Sequence, residues 1–135
     1  MLNIINKNMH QNYTIMYLMS EMSPQEYKER VNKITTHEEY DLWNSKVKAA
    51  PVSSNFNAAI SQYNPNGMTI VDYLEEIDGE YYRMASNIRE IYDSLDQRLA
   101  FITLQKRTDQ SVGRGGETTM EKARLYLTLD ILANR

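Results

Sequence analysis

The longest regular pattern of apolar positions in the chain runs from Thr69 to about Arg107. The spacing between its apolar residues alternates between four and three, which is typical of one face of a helix. Gly79 lies inside this pattern without shifting its phase, so we predict one long central helix over about 69–107. Its apolar face is predicted to be an interface made of Ile70, Leu74, Ile77, Tyr81, Met84, Ile88, Ile91, Tyr92, Leu95, Arg98, Leu99 and Ile102.

This predicted helix is too long for a small domain to cover by itself. At about 1.5 Å per residue it would extend for roughly 55–60 Å, which exceeds the reach of the short helices that a domain of this size can supply. We therefore expect part of its face to be buried against a second copy of the chain or another protein. Arg98 interrupts the face, and it either marks where the face reaches solvent or pairs with a carboxylate across an interface.

Capping signals predict shorter helices in the N-terminal half. Residues 23–26, Ser-Pro-Gln-Glu, predict a helix that ends at about Ile34. Residues 36–39, Thr-His-Glu-Glu, predict a second helix that runs to Ala50 and is stopped by Pro51. Residues 53–63 predict another short helix before a turn at 64–67. Residues 12–22 fit a short helix or a strand, and we interpret them as a helix.

The C-terminal part has a glycine-rich segment followed by another capping signal. Residues 108–117 lack apolar periodicity and predict a flexible loop. Thr118 and Glu121 form a capping box that predicts a helix from Met120 to Ala133, although the leucines at 125, 127 and 129 also alternate as in a strand. The predicted fold class is all-α, a small helical bundle in a single domain over residues 1–135. Within it, residues 1–22 are interpreted as a docking arm.

Composition excludes several classes of protein. The chain has 135 residues and no cysteine, so disulfides, thiol catalysis and cysteine-based metal sites are excluded. Its net charge of −3 argues against a protein that coats nucleic acid through overall charge. The sequence has neither the pattern of a signal peptide nor an apolar stretch of transmembrane length, so we expect no membrane association and a cytoplasmic location.

No group of residues indicates catalysis. Residues 113–116 precede a predicted helix, but they have neither the Gly-Lys-Ser/Thr of a P-loop nor the preceding strand of a dinucleotide site. His10 and His37 are the only histidines and lack the spacing of metal ligands. The five acids from Asp72 to Glu80 have no base or nucleophile beside them and suit the first turns of a helix. We therefore predict no enzymatic activity, no cofactor and no metal site.

Basic residues gather after the predicted central helix. Lys106, Arg107 and Arg114 are candidates for contact with phosphate or nucleic acid. The same residues fit a solvated helix C-terminus, where the macrodipole favours positive charge.

These patterns predict a non-enzymatic interaction or assembly protein that forms homo-oligomers or binds a protein partner through the long helix. The bias toward Asn, Tyr, Ile and Met is typical of a phage or mobile-element product, which suits a virion-assembly component or an inhibitor of a host protein. The alternative is a nucleic-acid-binding regulator or packaging subunit with a helix-turn-helix-like N-terminal part. That alternative is not favoured, because residues 1–64 carry six basic and six acidic residues and so have no net charge.

Overall fold

The computed structural model describes residues 1–63, 66–75, 80–96 and 98–130. Helices and strands alternate along these ranges. Their bounds are α1 Leu2–Asn8, β1 Ile15–Met19, α2 Pro24–Ile34, α3 His37–Lys46, β2 Val47–Pro51, α4 Phe56–Tyr63, β3 Met68–Leu74, α5 Arg83–Ser94 and β4 Leu99–Leu104, followed by a 3-10 turn, Gly116–Met120. The prediction of an all-α helical bundle is therefore wrong, because β1–β4 form one parallel sheet.

The strand β1 lies in the middle of this sheet, whose order is β2-β1-β3-β4. Tyr17 of β1 lies opposite Ala49 of β2 and Ile70 of β3. The helix predicted over 12–22 is wrong, since all five residues of β1 are buried strand residues. A strand covered on both faces is apolar at nearly every position, and a short apolar run of this kind cannot be distinguished from a helix by its period.

Helices cover both faces of the sheet, as a parallel sheet requires. The first face carries α1, α2 and α3, and it buries Ile5, Met9, Val31 and Trp43 against Ile15, Tyr17, Met19, Val47, Met68 and Ile70. The second face carries α4 and α5, and it buries Phe56, Ile60, Met84, Ile88 and Ile91 against Met16, Leu18, Val71 and Leu74. The result is a three-layer α/β/α arrangement with one apolar cluster on each side of the sheet.

The long helix predicted over 69–107 is wrong as well. The segment contains β3, α5 and β4 in succession, and the helical spacing is real only in α5, where Met84, Ile88 and Ile91 face the sheet. The apolar pattern continues into β3 because most positions of Met68–Leu74 are apolar. Ile70 and Leu74 are therefore four residues apart, as on one face of a helix, although both lie in a strand. Gly79, which the prediction placed inside this helix, lies outside the described residues.

Both N-terminal capping signals mark the start of a helix. The Ser23 hydroxyl accepts a hydrogen bond from the backbone N–H of Glu26 at 3.1 Å, and Thr36 and Glu39 form a reciprocal capping box. The helix α2 ends at Ile34, as predicted. The extension of the next helix to Ala50 is wrong, because α3 ends at Lys46 and the chain becomes extended at Val47 to form β2.

The two ends of the chain also differ from the predicted bundle. Residues 1–22, interpreted as a docking arm, contribute α1 and β1 to the core, with Ile5 and Met9 fully buried. The helix predicted from Met120 to Ala133 is wrong for the described residues, since 121–130 form neither helix nor strand, and 131–133 lie outside the described ranges. The turn predicted at 64–67 lies partly outside them too. Among the described helices, none has both the length and the hydropathy needed to cross a bilayer.

Candidate functional site at the carboxyl edge of the sheet

The order of the strands makes the carboxyl edge of the sheet the expected location of a ligand site. The chain passes from β1 to β2 on one side and from β3 to β4 on the other, so the order reverses between the neighbours β1 and β3. In open parallel sheets, ligands bind in the crevice outside the carboxyl ends of the strands at such a reversal. Two groups of side chains lie at this edge.

The first group, which we call the switch-point network, links the carboxyl ends of β1, β3 and β4. It consists of Tyr17, Ser20, Glu21, Asp72, Tyr73, Thr103 and Gln105. Asp72 lies at its centre: Oδ2 accepts a hydrogen bond from the Tyr17 hydroxyl at 2.6 Å, and Oδ1 accepts one from the Thr103 hydroxyl at 3.1 Å. Both carboxylate oxygens are therefore held by the neighbouring strands.

Tyr73 organises the outer part of the switch-point network. Its hydroxyl donates a hydrogen bond to the Glu21 carboxylate and accepts one from Gln105 Nε2 at 2.6 Å. Its backbone N–H donates to the Ser20 hydroxyl at 3.2 Å. These contacts join the carboxyl ends of β1, β3 and β4 through side chains.

The network keeps its phenols protonated. Burial, followed by the hydrogen bond to Asp72, raises the pKa of Tyr17 far above the usual range of a phenol. Burial and the hydrogen bond to Glu21 raise the pKa of Tyr73 to about 12. Both hydroxyls therefore act as hydrogen-bond donors at neutral pH, and neither is available there as a phenolate base or nucleophile.

Alkaline titration should find the Tyr73 phenol ionising near pH 12, its pKa being raised to about 12 from the ordinary 10.0. Because the folded-state pKa is raised, the stability contributed by the protonated phenol is fully present below pH 10 and is lost as the pH rises toward 12. The tyrosinate absorbance of the wild type minus that of Tyr73→Phe measures this ionisation. Glu21→Gln should shift it to lower pH, and no shift in that variant would contradict the contact.

The second group, the arginine cleft, adjoins the network outside β3 and β4. It is an open cleft of about 420 Å³ lined by Tyr81, Tyr82, Arg107, Gln110, Val112, Arg114, Gly115 and Gly116. A smaller recess shares Tyr81 and Arg114 with the cleft and is also lined by Tyr73 and Gln105 of the switch-point network. The two groups are therefore parts of one continuous site.

Arg114 is the best-positioned cation of the arginine cleft. Its backbone N–H donates to the Gln105 carbonyl oxygen at 2.7 Å, which anchors it beyond the end of β4. Its Nη1 donates to the Tyr81 hydroxyl at 2.8 Å, and its guanidinium carbon lies 5.2 Å from the centroid of the Tyr81 ring. A guanidinium held in this way retains further N–H donors, because it has five and its planar fork suits paired oxygen acceptors.

The glycine-rich segment forms one wall of the arginine cleft. Gly115 has a left-handed φ of 96°, and a Cβ atom there would lie 2.7 Å from Thr119 Cγ2 and 2.9 Å from Met84 Cβ. The segment can therefore pack closely against α5 only with glycine at this position. The segment 108–117, predicted to be a flexible loop, returns to the chain just after β4, where Lys106 and Gly113 form an antiparallel bridge.

Half of the residues of the interface predicted on the central helix lie inside this chain. Six of its members, Ile70, Leu74, Met84, Ile88, Ile91 and Leu95, are buried. Tyr81, Tyr92 and Leu99 are exposed, Arg98 and Ile102 are half-buried, and Ile77 lies outside the described residues. The predicted face is thus divided between the core and separate surface positions, and only Tyr81 belongs to the arginine cleft.

The three predicted phosphate contacts separate into two kinds. Arg107 and Arg114 line the arginine cleft. The Lys106 side chain is largely buried, pairs with Asp130 and donates to the Gln110 carbonyl oxygen at 2.6 Å, so its charge is engaged within the chain.

Most of the switch-point network was not predicted from the sequence. Tyr17, Thr103 and Gln105 stand in or just after apolar runs whose strand character would have placed them at a carboxyl edge. Asp72 was included in a run of acids on a helix, whereas it belongs to a strand. Among the described residues, no cluster of three or more His, Cys, Asp or Glu side chains is arranged to hold a metal ion.

Comparison of the chain with protein-family models, with characterised proteins and with solved structures gave no match. The function proposed below is therefore inferred from the geometry of the carboxyl edge.

Proposed function

We propose that this chain is a non-enzymatic ligand-binding α/β protein that holds an anionic group of the phosphate type in the arginine cleft. The observation that carries the proposal is the presence of Arg107 and Arg114 in one cleft outside the carboxyl ends of β3 and β4. Ligands of open parallel sheets bind at this edge, and arginine is the preferred side chain for paired contacts with phosphate oxygens.

The charge around the arginine cleft supports an anionic ligand. Arg107 pairs with Asp109 at 3.2 Å in an exposed contact, which solvent screens and a phosphate can replace at little cost. Arg114 has no acidic partner among the ion pairs of the described residues, and its aromatic neighbour Tyr81 fixes it without neutralising it. The cleft therefore offers positive charge in a chain that is acidic overall.

The switch-point network supports binding rather than turnover. Catalysis of group transfer needs an activated nucleophile beside a base. Here both oxygens of Asp72 accept hydrogen bonds, and the raised pKa values of Tyr17 and Tyr73 keep their phenols neutral. These side chains form a hydrogen-bonded wall beside the cleft. A cytoplasmic location is part of the proposal, because a chain without cysteine needs no oxidising compartment.

Calorimetric titration with inorganic phosphate and pyrophosphate tests this function. Arg114→Ala should weaken binding by roughly 10- to 100-fold, the loss expected from a charge-assisted hydrogen bond of about 1.5–3 kcal/mol. Arg30→Ala is the matched control, because Arg30 is an exposed arginine on α2 that pairs with its own helix neighbour Glu26, away from the cleft. The proposal fails if the wild type binds neither anion saturably, or if both variants bind as the wild type does.

A nucleic-acid ligand is the second candidate, favoured by one further observation. Tyr82 at the mouth of the cleft is 72% exposed, and the Arg83 guanidinium lies 5.9 Å from the centroid of its ring. Exposed aromatic rings beside arginines suit the stacking of unpaired bases. A short single-stranded oligonucleotide therefore belongs in the same titration, and Tyr82→Ala should weaken its binding without affecting that of phosphate.

Oligomerisation through the face predicted over 69–107 is not part of this proposal, because six residues of that face are buried within the chain. A virion-assembly or host-inhibitor role stays a prediction from composition alone.

A further inference from the structure

The strand β4 ends the sheet with an edge that no other strand covers. In the sheet order β2-β1-β3-β4 it comes last, and among the described strands it pairs with β3 alone. Within the described ranges, no backbone hydrogen bond reaches Leu99–Leu104 from the side away from β3. An unpaired strand edge presents its free N–H and C=O groups to any extended chain that meets it.

The ladder between the strands shows which backbone groups of β4 are open. The Met68 N–H donates to the carbonyl oxygen just before β1, so Met68 faces β1. Because this direction alternates along a strand, Thr69 faces β4. Thr69 lies opposite Ala100 and bonds to the residues on either side of it, as parallel pairing requires. The N–H and C=O groups of Ala100, and by the same alternation those of Ile102, therefore point away from the sheet.

The two outer edges of the sheet differ in their protection. The strand β2 at the other edge carries an exposed lysine, Lys48, and ends with Pro51, which has no N–H to donate. Lysine and proline are the residues by which proteins keep edge strands from pairing. The strand β4 contains neither a proline nor a charged residue, and Leu99 at its start is 53% exposed.

The loop after β4 limits the unprotected edge to five residues. Gly113 lies beside Leu104, since a Cβ atom on Gly113 would be 3.0 Å from Leu104 Cβ. The next residue, Arg114, donates its backbone N–H to the Gln105 carbonyl oxygen. The loop therefore flanks the chain from Leu104 onward, and we call residues 99–103 the open edge.

We propose that the open edge pairs with the open edge of a second copy of this chain, antiparallel and with Phe101 at the two-fold axis. In this register Ala100 of each copy lies opposite Ile102 of the other, and each pair exchanges both backbone hydrogen bonds. Leu99 lies opposite Thr103, so at both kinds of position a larger side chain faces a smaller one. The contact is complementary to itself, as a two-fold interface requires. The proposal does not rest on the ligand of the arginine cleft.

Charge at the two ends of β4 favours a second copy and the antiparallel direction. Positions 90–98 carry three acidic residues and one basic residue, whereas positions 106–114 carry three basic residues and one acidic residue. The latter end stays positive even though Asp130 pairs with Lys106. An antiparallel pair brings the acidic end of each copy beside the basic end of the other, and a parallel pair would bring like ends together. The open edge itself is uncharged, so a chain of net charge −3 meets no repulsion across the pairing strands.

Amide hydrogen exchange followed by NMR tests the pairing residue by residue. The amides of Ala100 and Ile102 should exchange rapidly in dilute solution and several-fold more slowly as the protein is concentrated. The amides of Phe101 and Thr103 point to β3 and should be protected at every concentration, which makes them the internal control. Two five-residue strands bury less than the roughly 1,600 Å² of a standard interface, so we expect a dissociation constant on the order of 10–100 µM.

Sedimentation velocity on two lysine variants tests the same contact. Leu99→Lys places a cation on the open edge opposite the basic end of the partner and should raise the dissociation constant on the order of 10-fold or more. Tyr63→Lys is the matched control, because Tyr63 is 41% exposed and lies beside β2, with its ring centroid 6.0 Å from Lys48 Nζ. It should leave the dimer intact, and circular dichroism should show both variants folded.

Three results would each overturn the proposal. The first is a wild type that stays monomeric up to its highest soluble concentration. The second is protection of the Ala100 and Ile102 amides that does not depend on concentration, which would show that the same chain covers the edge. The third is an equal effect of the two lysine variants on the dissociation constant.

Discussion

Replacing Trp43 by alanine should lower the free energy of unfolding by about 3–5 kcal/mol, the usual cost of removing a buried tryptophan. Trp43 of α3 is 1% exposed and packs in the core cluster between the helices and the sheet. Its Nε1–H donates to the Tyr27 hydroxyl at 2.7 Å, and the Tyr27 ring stacks on Tyr17 with 5.6 Å between centroids. Since domains of this size are stable by about 5–15 kcal/mol, the variant should be close to unfolding.

Urea denaturation measures this loss, and Trp43→Phe separates its two causes. Phenylalanine keeps most of the apolar volume but leaves the Tyr27 hydroxyl without its donor, so this variant should lose only about 1–2 kcal/mol. The alanine variant should also broaden the NMR signals of Tyr17, because Tyr27 supports that ring. A loss below about 1 kcal/mol in the alanine variant would show that Trp43 is not packed in the core.

Replacing Gly115 by alanine should destabilise the chain by about 2–5 kcal/mol, because a backbone penalty and an overpacking penalty act together. The left-handed φ of 96° disfavours any residue with a Cβ atom, and that atom would overlap with Met84 on α5 and with Thr119. The loop must then move away from α5. Since Gly115 lines the arginine cleft, the same variant should also weaken phosphate binding.

Gly116→Ala is the matched control for this prediction. Gly116 also has a left-handed φ, of 71°, but apart from its neighbours in the chain no heavy atom lies within 4 Å of the position that its Cβ would occupy. Its replacement should therefore cost only the backbone penalty of about 1–2 kcal/mol. The difference between the two alanine variants in urea denaturation isolates the contact of the loop with α5, and equal losses would contradict that contact.

Local signals in the sequence predicted the parts of the fold that depend on local chemistry. Ser23 and Thr36 start helices because a hydroxyl at the cap satisfies a free backbone N–H, whatever the rest of the chain does. The period of the apolar residues did not identify β1 and β3 as strands, since burial on both faces makes nearly every residue of a parallel strand apolar. The spacing of apolar residues in β3 fits both a strand and a helix. The predicted helix therefore ran through β3, α5 and β4.

Only the basic residues of the candidate site could be predicted from the sequence, because their charge alone identifies them. Arg107 and Arg114 stand out as cations near glycines, and both line the cleft. The network around Asp72 depends on the order of the strands, because Asp72 meets Tyr17 from 55 residues away and Thr103 from 31. No local pattern records which strands become neighbours, so contacts of this kind follow from the sheet and not from sequence spacing.

The central position of β1 also sets the order in which the chain can fold during synthesis. Both neighbours of β1 are parallel to it and follow it in the sequence, so no hairpin can form early to hold it. Because β1 is synthesised before its neighbours, its second edge stays uncovered until β3 has been synthesised. We therefore expect the nascent chain to need protection from aggregation until Leu74 has left the ribosome, and to fold slowly for its size because its sheet contacts are long in sequence.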